Sequence, residues 1–128
     1  VAMDTGCSGI VAINTTVSRT DELELDEKLA EAGGMSGKPL NEKSTEFISH
    51  IYRFTEGKLP IVGVGGIMNA EDAWNKIIAG ASLIQAYSGF VFEGPSMTKQ
   101  IVNGLHKKLK QHNLTSIHDA VGLAHRME

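Results

Sequence analysis

The sequence predicts an α/β fold of three strand–helix units, one partial domain over residues 1–128, read as a slice of a (βα)8 TIM barrel. Three observations predict it. The apolar runs GIVAIN (9–14), LPIVGV (59–64) and SLIQAY (82–87) alternate with stretches of helical periodicity, the order that makes parallel βαβ units with right-handed crossovers. Three parallel strands alone leave both sheet edges open, so the units form either a small open layer or part of a closed barrel. The small-residue clusters Asn14-Thr15-Thr16, Gly65-Gly66 and Tyr87-Ser88-Gly89 all stand where a strand ends and a loop begins. Barrels carry their functional groups at that place, and this favours the slice.

The elements follow in order. The chain opens with VAMDTGCSGIVAIN, without an initiator methionine, and reads as a helix end running into a strand, as if cut from something longer. Residues 9–14 suit a strand buried on both faces, with Cys7 just before it in the expected core. Residues 15–20 are rich in hydroxyls, and DELELDEKLAEAGG (21–34) is acidic, so a long mobile loop is expected, with helical character across DEKLAEA. Ser44 stands as N-cap of a helix on which Phe47, Ile48, Ile51 and Tyr52 repeat, with Gly57 past its end. After the strand 59–64, a helix begins at Asn69 or Ala70, places Ala73, Trp74, Ile77 and Ile78 on one stripe, and closes at Gly80. The third strand (82–87) precedes a long helix over 96–111 and a short one over 116–125.

Composition narrows the function classes. The 128 residues are 41% hydrophobic and 21% charged, which fits a soluble globular domain. A net charge of −3 supplies no field for nucleic acid or anionic lipid; the run His106-Lys107-Lys108-Leu109-Lys110 is read as the wet face of a helix. A single cysteine excludes an internal disulfide and points to a reducing compartment. The five histidines show no metal-ligand spacing, so no metal is expected. No run reaches the 18 or so apolar residues that cross a bilayer, and no signal peptide is visible.

The candidate site residues are polar or small. Gly63-Val64-Gly65-Gly66 ends a strand before a helix, where glycines let backbone N–H groups approach an anion; a tight turn without a ligand needs the same residues. In GGMSGKPL (33–40), Ser36 and Gly37 offer a hydroxyl and an unhindered N–H, although glycine-rich loops are often hinges. Asn14 and Thr15 present an amide and a hydroxyl suited to a flat polar heterocycle, or simply end a strand. Tyr87 and Ser88 carry the same two readings, functional group or core aromatic. Ser36 and Ser88 have no identifiable histidine partner, and paired carboxylates are confined to the acidic segment. The chain offers binding groups and no catalytic acid or base.

Taken together, NTTVSR (14–19), GGMSGKPL (33–40), KST (43–45), LPIVGVGGI (59–67), AGASLIQAYSGFVFEGP (79–95) and DAVGLAHR (119–126) resemble dihydroorotate dehydrogenase. The match is best to its class 2, quinone-using branch, through Lys38-Pro39-Leu40, Ser44-Thr45 and Tyr87-Ser88-Gly89; class 1 enzymes share a GGxSG loop. The resemblance implies the last three βα units of a TIM barrel, a flavoprotein oxidoreductase of pyrimidine biosynthesis, and FMN as cofactor. It implies that Asn14 and Thr15 contact dihydroorotate or orotate. Gly37 and Gly66 match FMN-contacting glycines, with Ser36 and Gly65 their neighbours, and Tyr87 and Ser88 match the pair near the FMN phosphate. Ile13 departs from the flavin-contacting threonine usual there.

The family's serine base, its flavin-contacting lysine and the N-terminal helices that receive quinone have no counterpart in these residues, so the chain alone is expected to be inactive. Membrane association is implied through that N-terminal region, at the mitochondrial inner membrane of a eukaryote or the cytoplasmic membrane of a bacterium. Gly66→Val is expected to weaken FMN binding by blocking backbone approach. The alternatives are a non-catalytic half-barrel that binds or scaffolds, and another FMN- or phosphate-binding barrel enzyme such as a class 1 dihydroorotate dehydrogenase.

Overall fold

The structure, a computed structural model, describes residues 1–17 and 33–126. The acidic stretch 21–32, with its DEKLAEA segment, lies outside the described residues. Three parallel strands, β1 (Ile10–Ala12), β2 (Ile61–Val64) and β3 (Leu83–Gln85), lie side by side in chain order. Ile10 pairs with Ile61, Ala12 with Gly63, and Gly63 with Ile84. The strands are shorter than the apolar runs because their ends turn away into loops. At the end of the first run, for example, Asn14 Oδ1 accepts the Thr15 N–H at 2.8 Å, a local bond that competes with ladder pairing.

Helix α1 (Asn41–Phe54) begins three residues before the Ser44 cap expected from sequence. Pro39 sits in a 3-10 turn, Lys38–Leu40, that runs directly into the helix, and the Leu40 N–H closes on Gly37 O at 3.0 Å. Proline's fixed φ suits such an entry. Ser44 is instead fully buried inside the helix, its hydroxyl near Asn41 O at 2.9 Å. Helix α2 (Ala70–Ala79) starts as the sequence suggests: Asn69 Oδ1 accepts from the Asp72 N–H at 3.0 Å and Asp72 Oδ2 accepts from the Asn69 N–H at 3.2 Å. A short helix α3 (Ser88–Glu93), absent from the sequence reading, follows β3. The long helix α4 (Ser96–Gln111) has the expected limits. The expected single helix over 116–125 divides at Val121-Gly122 into α5 (Ile117–Ala120) and a 3-10 turn, Leu123–Arg126.

The helices cover one face of the sheet. Ala12, Ile48, Ile61, Ala79 and Ala81 form a buried cluster between sheet and helices, with Ile10, Ile51 and Ile84 packed against it. Trp74, Ile77 and Ala120 join α2 to α5, with Leu105 and Leu109 of α4 alongside. The C-terminal turn folds back on α1, where His125 stacks on Tyr52 with ring centroids 5.1 Å apart. The second face is bare: Val11 and Leu83 are 59% and 65% exposed. The strands are therefore covered on one side, where burial on both was expected. Cys7 is also exposed, outside the core where the sequence placed it. It lies in the turns before β1, beyond the point where the Ile10 N–H bonds Pro60 O and the sheet begins.

Candidate functional site

The C-terminal ends of the three strands enclose a cleft of about 220 Å³. All eight candidate residues line it: Asn14 and Thr15 after β1, Ser36 and Gly37 from the glycine loop, Gly65 and Gly66 after β2, and Tyr87 and Ser88 after β3. Residues separated by up to 74 positions thus meet on one rim (Asn14 to Ser88, 88 − 14). Ile13 lines the same cleft, as do Leu40, Ile67, Ala86 and Gly89, which the sequence reading did not single out.

Two contacts draw the glycine loop to the strand ends. Thr16 and Met35 form an antiparallel bridge, N–H to carbonyl in both directions at 3.1 and 2.7 Å. A Cβ on Gly34 would lie 2.0 Å from Thr15 Oγ1, so only glycine passes there. The loop then reaches β3's end, where Ser36 Oγ and Ser88 Oγ are hydrogen-bonded at 2.8 Å. These contacts hold Gly34, Met35 and Ser36 against the strand ends. Tyr87 is 76% exposed at the rim, which sets aside its reading as a core aromatic.

The Gly65-Gly66 turn is gripped from behind. Ser44 Oγ lies 3.1 Å from Gly65 O as donor, and Asn41 Nδ2 donates to Gly66 O at 2.7 Å. Below them stands Lys76 of α2, with no exposed surface. Its Nζ donates to Ser44 Oγ and Thr45 Oγ1 at 2.7 Å each and to Asn41 O at 3.0 Å. Three acceptors match the three protons of an ammonium. Burial pulls its pKa down to about 8, with the Asp72 carboxylate pulling the other way. The sequence reading missed this lysine, although its place three residues after Ala73, within α2's buried stripe, was visible.

The glycine at 66 answers to this packing. Its φ is +66°, and an added Cβ would lie 2.5 Å from the Asn41 backbone nitrogen. A side chain there strikes the start of α1, so Gly66→Val perturbs the fold and is no clean probe of ligand approach.

Chemically, the cleft is a set of hydroxyls, glycine backbone and apolar wall. No carboxylate, imidazole, thiol or amine lines it among the described residues. Such a set fits an anionic phosphate, which carboxylates would repel. Its volume is below the roughly 300–1,000 Å³ of pockets that enclose a whole drug-sized ligand. It has room for a phosphate-sized group and part of a larger molecule.

Comparison with known proteins extends these observations. The chain matches the family described as Dihydroorotate dehydrogenase over residues 1–109. The Dihydroorotate dehydrogenase (quinone) of Trichodesmium erythraeum is 58% identical over 125 residues, covering 93% of this chain and 33% of that protein. The protein of the same name from Rippkaea orientalis is 52% identical over 125 residues, with the same coverage. The crystal structure of DHODH from Eimeria tenella in complex with ferulenol is 37% identical, with a TM-score of 0.91 over 98% of this chain and 33% of that one. The chain thus spans about a third of the length of the relatives it matches. At this likeness the three strand–helix units are part of a TIM barrel, and the bare sheet face is the side that turns toward the barrel's interior.

Proposed function

The chain belongs to the dihydroorotate dehydrogenase family, and from that premise we propose that it supplies the FMN-phosphate and orotate contacts of a quinone-dependent dihydroorotate dehydrogenase, an enzyme of pyrimidine biosynthesis. The observation that supports this best is that one carboxylate-free cleft beside the strand ends gathers all eight candidate residues. FMN, when bound, supplies the two-electron redox chemistry between dihydroorotate and a quinone.

The residues of this chain bind and orient. Ser36 and Ser88, already in contact, each keep acceptor or donor capacity for phosphate oxygens. The Asn14 amide is fixed by the bond from the Thr15 N–H to its Oδ1; its Nδ2 is left as a donor for a carboxylate or carbonyl of the pyrimidine. Holding phosphate and pyrimidine on one rigid rim fixes the distance between the reacting groups. No residue of the cleft is assigned as base, and proton removal belongs to parts of the enzyme outside these residues. Quinone is an apolar acceptor, and the whole enzyme is accordingly assigned to a membrane surface; among the described residues no helix is long and apolar enough to cross one.

Ser88→Asp tests the reading by placing a carboxylate against the phosphate. Fluorescence titration of the full-length flavin-free protein is expected to show FMN affinity lowered at least about tenfold, the effect of 1.4 kcal/mol or more of repulsion. Orotate binding to the flavin-loaded protein is expected to weaken in Asn14→Ala instead. Unchanged FMN affinity in Ser88→Asp would remove the phosphate from this cleft.

A further inference from the structure

We propose that Lys76 is a positioning residue for the flavin phosphate, acting through Ser44 and Asn41 on the two carbonyls of the Gly65-Gly66 turn. This rests on the reading of the cleft as a phosphate site. The linkage is continuous. The buried ammonium donates to Ser44 Oγ at 2.7 Å and Asn41 O at 3.0 Å. Ser44 Oγ, having accepted that bond, shares its own proton between Asn41 O at 2.9 Å and Gly65 O at 3.1 Å, and the Asn41 side chain donates to Gly66 O at 2.7 Å.

A trans peptide is planar, with its C=O and N–H pointing in opposite directions. Drawing the Gly65 and Gly66 carbonyls back toward α1 therefore turns the N–H groups of Gly66 and Ile67 away from it. Both residues line the cleft. The turn then presents two oriented donors, with a whole positive charge behind them and little water between to screen it. A cation kept there without a hydrogen-bonded carboxylate is costly to bury. An anion arriving in the cleft offsets that cost, whereas a purely structural role needs no charge at this point.

The experiment separates the two roles by using a ligand pair that differs only in the phosphate. FMN and riboflavin are titrated into the full-length flavin-free protein and followed by quenching of flavin fluorescence. Lys76→Met is expected to lose roughly tenfold or more in FMN affinity, as when a charge-assisted contact is removed, and less than about twofold for riboflavin. Ser44→Ala, which removes one hydroxyl, is expected to shift the FMN-to-riboflavin ratio in the same direction, and the double variant to lose less than the sum. Equal losses for both ligands, or an unchanged ratio, overturn the positioning role; if Lys76→Met fails to fold, the ratio in Ser44→Ala decides alone. A wild-type protein that does not prefer FMN over riboflavin overturns the phosphate reading itself, and this shows before any substitution is made.

Discussion

Burying an ammonium costs free energy unless its protons find acceptors, and Lys76 finds three without a carboxylate in hydrogen-bond contact among the described residues. That balance has a pH signature. Its pKa is about 8 in the folded chain, lowered first by burial, against 10.5 for an ordinary lysine. Between those values the unfolded chain binds more protons than the folded one, so the lysine's contribution makes stability rise with pH. Below about 8 both states are protonated and the contribution is level. Urea unfolding of the flavin-free protein against Lys76→Met is expected to show this rise in wild type alone, with a slope of at most about 1.4 kcal/mol per pH unit. A wild-type-minus-variant difference that stays flat from pH 8 to 10 counts against a buried charged lysine. The sequence shows a lysine on the apolar stripe, but its acceptors stand 31 to 35 residues earlier on α1. Only folding brings them together. The converse holds at Asn14, Gly66 and Ser88, whose shared position at strand ends was legible because strand ends in such folds converge.

At the scale of the element, α2 decides where Lys76 stands, and the helix is fixed at its first turn. Asp72 Oδ2 accepts the N–H groups of Met68 at 2.9 Å and Asn69 at 3.2 Å, while Lys108 of α4 meets Glu71 at 2.6 Å on the outside. Asp72→Ala is expected to cost about 0.5–2 kcal/mol in urea unfolding, the range for losing a helix-start acceptor. Glu71→Ala, at a half-exposed ion pair, is expected to cost less than about 1 kcal/mol. Equal losses from the two substitutions would mean that the capping exchange does not carry the start of α2. Elements announced by a side-chain cap or a clean stripe, such as α2 and α4, were legible in sequence. The start of α1 was not, because a proline turn leads into it without a side-chain cap. Nor was α3, whose Val91 and Phe92 are 66% and 77% exposed and leave no alternation of apolar and polar residues to read.

For the whole molecule the open question is what covers the second sheet face. The sequence order of strand and helix pointed to a barrel slice, and the likeness to a DHODH structure at a TM-score of 0.91 bears that out. Parallel strands are normally covered on both sides, which is why the apolar runs read as doubly buried. Here helices supply one cover. In a barrel the other is made by side chains of strands across the interior, and this chain has a third of its relatives' length. Val11 and Leu83 therefore stand exposed on the two outer strands, β1 and β3, on either side of β2, and both sheet edges are unpaired within the described residues. The 128-residue chain expressed by itself is expected to self-associate and to bind an apolar dye, since a bare face flanked by open edges recruits further strands. Replacing Val11 and Leu83 by threonine is expected to reduce dye binding without restoring a monomer, because the edges persist. Sedimentation velocity discriminates three outcomes. Polydisperse, dye-binding material is what an incomplete barrel produces. A compact dimer indifferent to FMN would revive the half-barrel scaffold, in which two copies cover each other's faces. A sharp, dye-free monomer would mean that the second face needs no cover, against the barrel geometry proposed for the parent enzyme.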